Sequence, residues 1–274
     1  MNDRKRPVLI LGSAPDVVRA KSWPREWFEA IMTLNTAFRV RPDWTHAAIA
    51  SDFPVPDWPL PNRQQQVLTA AALQEAQLVF GGFQLCGETM AFTGGYLALT
   101  LFPGHPLLFL GCDMVYDSVS ANGAPEATHF YGSGQADPLR PHLSLQSLPA
   151  KSARLMCKAN ALGSPVFNLS EKDRSNLVYP RLSEAEITQI DPQSTVLHQS
   201  MLAHSGLIAE AEALEASFGR VLRQINWPRM SFKKFMQIDL LWFCALKEGP
   251  DPAAYDVPGA TVGRFERDTL QMQL

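Results

Sequence analysis

Pro7-Val8-Leu9-Ile10-Leu11-Gly12-Ser13-Ala14-Pro15-Asp16 is the stretch whose reading decides the fold. A continuous apolar run too short for a lone helix, ending in Gly-Ser-Ala-Pro, predicts a buried parallel strand whose carboxyl end opens into a tight turn. Ligands of open α/β sheets bind at such strand ends. Gly12 lacks the Cβ that would hold a bound group off the backbone. Small Ser13 and Ala14 leave amides to face a phosphate, and Pro15 fixes the exit. The turn is not the G-x-G-x-x-G dinucleotide fingerprint, whose second and third glycines are missing. It is not a P-loop either, since no Lys-Ser/Thr pair follows.

Working outward, residues 24–30 predict a short helix with Pro24 and Glu26 in its first turn. Residues 31–35 predict a second strand ending in Asn35, and residues 45–50 a third ending in Ser51-Asp52. Polar residues at three strand ends on one edge are the pattern of a doubly wound, mostly parallel sheet, that is, a Rossmann-like α/β fold. Pro54, Pro56, Pro59 and Pro61 make residues 53–62 a surface loop. Residues 64–76 are helical in composition, and 78–80 form a short apolar strand. Thr93-Gly94-Gly95 precedes an apolar helix through Phe102. Thr93 as N-cap would create a second helix start suited to an anion; the other reading is a Gly-Gly loop leading into a core helix. Leu107 to Gly111 then form a buried strand closed by Cys112-Asp113. Asp113 could hold a ribose hydroxyl, a turn amide or a metal.

Residues 114–143 show no period and carry Tyr116, His129, Phe130, Tyr131 and His142, a composition that marks a functional loop rather than a disordered one. A helix from Ser147 or Pro149 to Leu162 and a strand over 166–170 complete the sheet. From Ser183 onward the chain turns helical, with segments at 198–223 and 231–247 that could cover the sheet or join two copies in a homo-oligomer. The division is thus a Rossmann-like nucleotide-binding domain over 1–180 and a helical region over 181–274 packed on it.

The 274 residues, 46% of them hydrophobic, suffice for a sizeable core. A formal charge of −3 with scattered Lys and Arg excludes an extended nucleic-acid surface, so any bound anion is met locally. The N-terminal sequence has no secretory pattern and no apolar run reaches membrane length, which predicts a cytoplasmic protein. Cys86, Cys112, Cys157 and Cys244 form no C-x-x-C pair and read as small buried hydrophobes in a reducing compartment.

With these motifs in order, the chain resembles the bacterial sialyltransferases that use CMP-sialic acid. More distantly it resembles the wider group that includes the archaeal 6-hydroxymethylpterin pyrophosphokinases. The matching positions are Gly12-Ser13-Ala14-Pro15-Asp16, Asn35, Thr93-Gly94-Gly95, Gly111-Cys112-Asp113, His129-Phe130-Tyr131-Gly132-Ser133 and Asn168-Leu169-Ser170. The resemblance implies metal-independent glycosyl transfer from a nucleotide-activated sugar to a glycan or small-molecule acceptor, without a cofactor. The nucleotide would lie over Gly12, Ser13, Ala14, Pro15, Asn35, Thr93, Gly94 and Gly95, with Asp113 near its ribose. His129 would deprotonate the acceptor, and Tyr116 or Tyr131 would bond the leaving phosphate. The chain departs from the family at Ser133, where the family has its catalytic histidine, at Ser13, where it has Asn, and at Gly94, where it has Ser. Two alternatives follow. One is diphosphate transfer from ATP with Mg²⁺ held by Asp52 and Asp113; the other is a catalytically silent nucleotide-binding module.

Overall fold

Val8–Leu11 forms the central strand, β1, of a six-stranded sheet that is parallel throughout. The computed structural model describes residues 5–81, 89–115, 127–132, 147–218 and 232–246. Beside β1 lie β2 (Ala30–Leu34), β3 (His46–Ala48) and β4 (Gln66–Leu68) on one side, and β5 (Leu107–Leu110) and β6 (Val166–Asn168) on the other. The order β4-β3-β2-β1-β5-β6 reverses direction at β1, which is the Rossmann-like arrangement the strand ends predict.

The continuous apolar strands are explained by burial of both sheet faces. Val8, Ile10, Met32 and Phe109 point to one face, and Leu9, Leu11, Ile31 and Leu110 to the other. The first face carries the α-helices: α1 (Ala70–Val79), α2 (Met90–Leu101) and α3 (Leu148–Ala161). The second face is covered by short 3-10 turns, including Pro15–Ser22, Arg25–Trp27 and Asn35–Arg39, with Trp23, Phe28 and Trp44 filling the layer.

Local expectations fail where tertiary contacts decide. Residues 24–30 make a 3-10 turn and then enter β2, because the Arg25 guanidinium caps the Phe28 and Glu29 carbonyls (2.5 and 3.2 Å). Residues 66–68 form β4 rather than helix, pairing with β3, and the helix starts only after Thr69. Leu78 and Val79 end α1 instead of forming a strand, and the Phe80 ring packs on Tyr96 (5.3 Å). The long helix expected from residue 198 is two, α4 (Pro192–Met201) and α5 (Ser205–Ser217). The break between them bonds to the end of α6 (Phe232–Cys244), where the His204 amide donates to the Ala245 carbonyl (2.7 Å).

The C-terminal helices cover the helical face, α6 lying against both α3 and α5. Arg154 of α3 bonds Glu215 of α5, and Trp242 of α6 donates its indole N–H to the same carboxylate (2.6 Å). Asp239 of α6 accepts the Ser147 amide (2.6 Å) at the start of α3. Burial pushes the Asp239 carboxyl up to about 8; the Ser147 amide and Lys151 pull it down, and Glu215 adds to the push. An unfolded aspartate ionises near 4, so the fold favours the protonated form. Its stabilising contribution is complete below about pH 4 and is lost as pH rises through about 8. Denaturation curves are expected to show this loss, with a limiting slope of about 1.4 kcal/mol per pH unit, and Asp239→Asn to flatten it. An unchanged slope in the variant would exclude Asp239 as its source.

Cys112 and Cys157 are buried thiols and Cys244 is half-buried, while Cys86 lies outside the described residues. Among the described residues, no helix is long and apolar enough to cross a membrane.

Candidate functional site

The reversal of strand order brings together the carboxyl ends of β1 and β5, the place where open α/β sheets bind their ligands. The first turn closes it tightly: the Gly12 amide donates to Leu110 O (2.8 Å) and the Ala14 amide to Gly111 O (3.0 Å). A Cβ on Gly12 would stand 2.2 Å from the Gly111 carbonyl oxygen. Gly12 is therefore glycine so that the two strand ends can meet, and the amides of Gly12 and Ala14 serve β5 rather than a phosphate. Gly111 takes a left-handed conformation (φ 71°), and Val17 fills the space where its Cβ would be.

Two carboxylates come together here. Asp16 sits at the start of the 3-10 turn after Pro15, and Asp113 follows β5 with 1% of its surface exposed. Ser170, from the exit of β6, donates its hydroxyl to Asp113 Oδ2 (2.8 Å). Among the described residues, Asp113 Oδ1 and both Asp16 oxygens are buried with no hydrogen-bond partner. Burial and then the charge of Asp113 hold the Asp16 carboxyl above its ordinary value, against Ser170, Lys172 and Arg19, which lower it. Burial first, then Asp113 and Asp16, pushes the neighbouring Cys112 thiol well up, so it stays protonated and unreactive.

The exit of β6 that carries Ser170 is fastened in place. Arg19 donates to Leu169 O (3.0 Å) and pairs with Glu171 (2.7 Å), and Arg181 donates to the carbonyls of Ser170 and Lys172. The Asn176 amide and side chain donate to the carbonyls of Asp113 and Met114 (2.9 and 2.8 Å), fixing the β5 exit, where Met114 is left-handed (φ 55°).

His129 reaches the same turn, because the Phe130 amide donates to Ser13 O (2.8 Å). The imidazole is 7% exposed, bonds Thr128 Oγ1 through Nδ1 (2.8 Å) and stacks on Tyr131 (5.0 Å between centroids). Tyr131 itself is half exposed. Tyr116, Ser133 and His142 lie outside the described residues.

The remaining expected residues fall differently. Asn35 is left-handed (φ 47°) at the end of β2, and its Oδ1 accepts the Ala50 amide (2.9 Å), which ties β2 to the exit of β3. Thr93 does not cap α2. Thr89 does, accepting from the Phe92 amide, while its hydroxyl meets Met114 Sδ (3.2 Å). Thr93, Gly94 and Gly95 lie inside the helix, and Cβ atoms on the two glycines would stand 2.4 Å from Leu34 and 2.5 Å from Leu155. They let α2 settle onto β2 and α3. The start of α2 thus meets the exit of β5, through Thr89 rather than Thr93. Asp52 is exposed beyond β3, three strand positions from β5, or about 14 Å at the usual strand spacing. The acid that the fold brings to Asp113 is Asp16, not Asp52.

Among the described residues, no group of three or more His, Cys, Asp or Glu side chains is arranged to hold a metal. No family model, curated protein or solved structure matches the chain. The sheet order defines a Rossmann-like α/β protein, with two acids, Asp16 and Asp113, close together at the strand ends.

Proposed function

We propose that the protein transfers a sugar from a nucleotide-activated donor to a hydroxyl of a glycan or small-molecule acceptor, in the crevice between β1 and β5. The observation that carries this reading is the Phe130–Ser13 bond, which holds the His129 segment at the turn after β1. An imidazole, with an ordinary pKa near neutrality, suits removal of the acceptor proton as the acceptor oxygen bonds to the anomeric carbon. The bond from that carbon to the donor's phosphate oxygen breaks, and the nucleotide leaves with the electron pair. Lys172, close enough to Asp16 to lower its pKa, brings positive charge to that side of the crevice.

The test is a thermal-shift series with CMP, CDP, UDP, GDP and ATP, each with and without Mg²⁺, followed by turnover with the nucleotide sugar of the base that binds. A nucleotide at a hundred times its Kd stabilises the fold by about 2.7 kcal/mol and raises the melting temperature by several degrees. His129→Ala is expected to keep that shift and to lose about a hundredfold or more in turnover. No shift with any nucleotide would end the proposal; a shift without turnover by the wild type would make the chain a silent nucleotide-binding module.

Diphosphate transfer from ATP is the second reading, favoured by two carboxylates meeting at the strand ends. Such chemistry uses Mg²⁺ to neutralise the transferred group. A shift by ATP that requires Mg²⁺, with none by the pyrimidine nucleotides, would select it.

A further inference from the structure

We propose that Asp16 and Asp113, helped by Ser170, hold one hard divalent cation, Mg²⁺ by its chemistry, at the seam between β1 and β5. Three carboxylate oxygens there, Asp113 Oδ1 and both of Asp16, are buried with no donor among the described residues. Buried polar atoms in folded proteins nearly always have partners, and an exception calls for a water, an ion or a functional role. Ser170 has one hydroxyl proton for two acids: it donates to Asp113 Oδ2 and also stands against Asp16, which leaves Asp113 Oδ1 without a donor. The nearby Arg19 guanidinium is already bonded to Glu171 and the Leu169 carbonyl. Two carboxyl groups therefore lie close enough to interact at the seam, with buried oxygens that have no donor among the described residues.

The donor set selects the ion. Carboxylate and hydroxyl oxygens suit Mg²⁺, Ca²⁺ or Mn²⁺, whereas the nearby sulfur of Cys112 is buried and directed at Leu110 O (3.7 Å). Two protein carboxylates are few for Ca²⁺ or Zn²⁺. They are the usual complement for Mg²⁺, which keeps several waters and takes its remaining ligands from substrate phosphates. The inference rests on the proposed nucleotide function only for what the ion would face: with a nucleotide in the crevice, the outer side of the ion meets its phosphates. It departs from the metal-free transfer that the family resemblance implies, at a residue pair that resemblance does not join.

Binding of Mn²⁺ to the full chain, read as loss of the free-ion electron paramagnetic resonance signal with Mg²⁺ as competitor, tests the site without any activity. One Mn²⁺ per chain is expected, displaced by Mg²⁺ and weakened at least tenfold in both Asp16→Asn and Asp113→Asn. Circular dichroism checks that each variant is folded, and either folded variant is sufficient. No Mn²⁺ bound by the wild type, or equal binding by a folded variant, overturns the cation. So does a wild type that binds no Mn²⁺ while Asp113→Asn melts higher at neutral pH, which would mark a pair sharing a proton. Repeating the nucleotide melts in EDTA separates the two ideas. Mn²⁺ binding without any nucleotide shift keeps the cation and removes the nucleotide; a shift indifferent to EDTA with no Mn²⁺ bound does the reverse.

Discussion

Gly12→Ala is expected to cost about 3 kcal/mol of stability or more, at or beyond the upper end of ordinary overpacking. The new methyl would stand 2.2 Å from the Gly111 carbonyl oxygen and 2.7 Å from Cys112 Sγ. The nearer contact is backbone, so no side-chain rotation relieves it. β1 and β5 must part at their carboxyl ends, and the Gly12–Leu110 and Ala14–Gly111 hydrogen bonds go with them. Urea denaturation measures the loss, with Gly206→Ala as control. Nothing lies within 4 Å of a Cβ at Gly206, in the first turn of α5, so alanine there is expected to be neutral or stabilising by up to about 1 kcal/mol. A Gly12→Ala protein as stable as the control would show that the strand ends do not approach so closely.

Glu215→Ala is expected to destabilise by about 3 to 5 kcal/mol, the range for breaking a buried ion pair from one side. Arg154 and Glu215 are 3% and 4% exposed and meet at 2.9 Å. Arg154 also donates to Tyr96 Oη (2.6 Å) and Phe80 O (2.8 Å), so one guanidinium joins the end of α1 and the middle of α2 to α5. Removing the carboxylate strands that cation and the Trp242 N–H together. Removing both charges is a different matter, because an apolar pair of similar volume is often as stable as the ions it replaces. Arg154→Met with Glu215→Leu is accordingly expected to recover part of the loss, the unpaired Trp242 N–H keeping recovery incomplete. A double-mutant cycle measures the coupling; strictly additive losses would mean that the two residues act separately.

The fold was largely legible because a strand buried on both faces must be apolar at every position, and Val8–Leu11 and Leu107–Leu110 both are. Gln66-Val67-Leu68 was not legible. Its neighbours favour helix, and only pairing with β3 makes it a strand. The start of α2 misled for a similar reason. Thr89 and Thr93 are both good caps, and the choice falls to Thr89 because Gly94 and Gly95 are needed where Leu34 and Leu155 press on the helix.

Near the site, Gly12 and Asp113 lie at the ends of the adjacent strands β1 and β5, and the segment carrying His129, which no strand-end pattern singles out, is bonded to the turn after β1. Asp16 was in plain view within the first motif, yet its pairing with Asp113 follows from strand order, which no local pattern encodes. An acid directly after the turn of a central strand was the available signal. Ser170 stood in the Asn168-Leu169-Ser170 motif, but its bond to Asp113 was not legible there, and Arg19 gave no signal because its partner Leu169 lies 150 residues away in the chain.

The register of β1 has a consequence for how the chain closes upon itself. Val8 pairs with Ala30 on one side, about 20 residues ahead, and with Leu107 on the other, about 100 residues ahead. Loop-closure entropy rises only logarithmically, so the longer excursion adds about 1.3 kcal/mol. Yet it is the step that delivers Asp113 to Asp16. A molecule gripping both acids therefore clasps the early and late portions of the polypeptide together, and its grip is felt by the unfolding of the whole rather than of either portion.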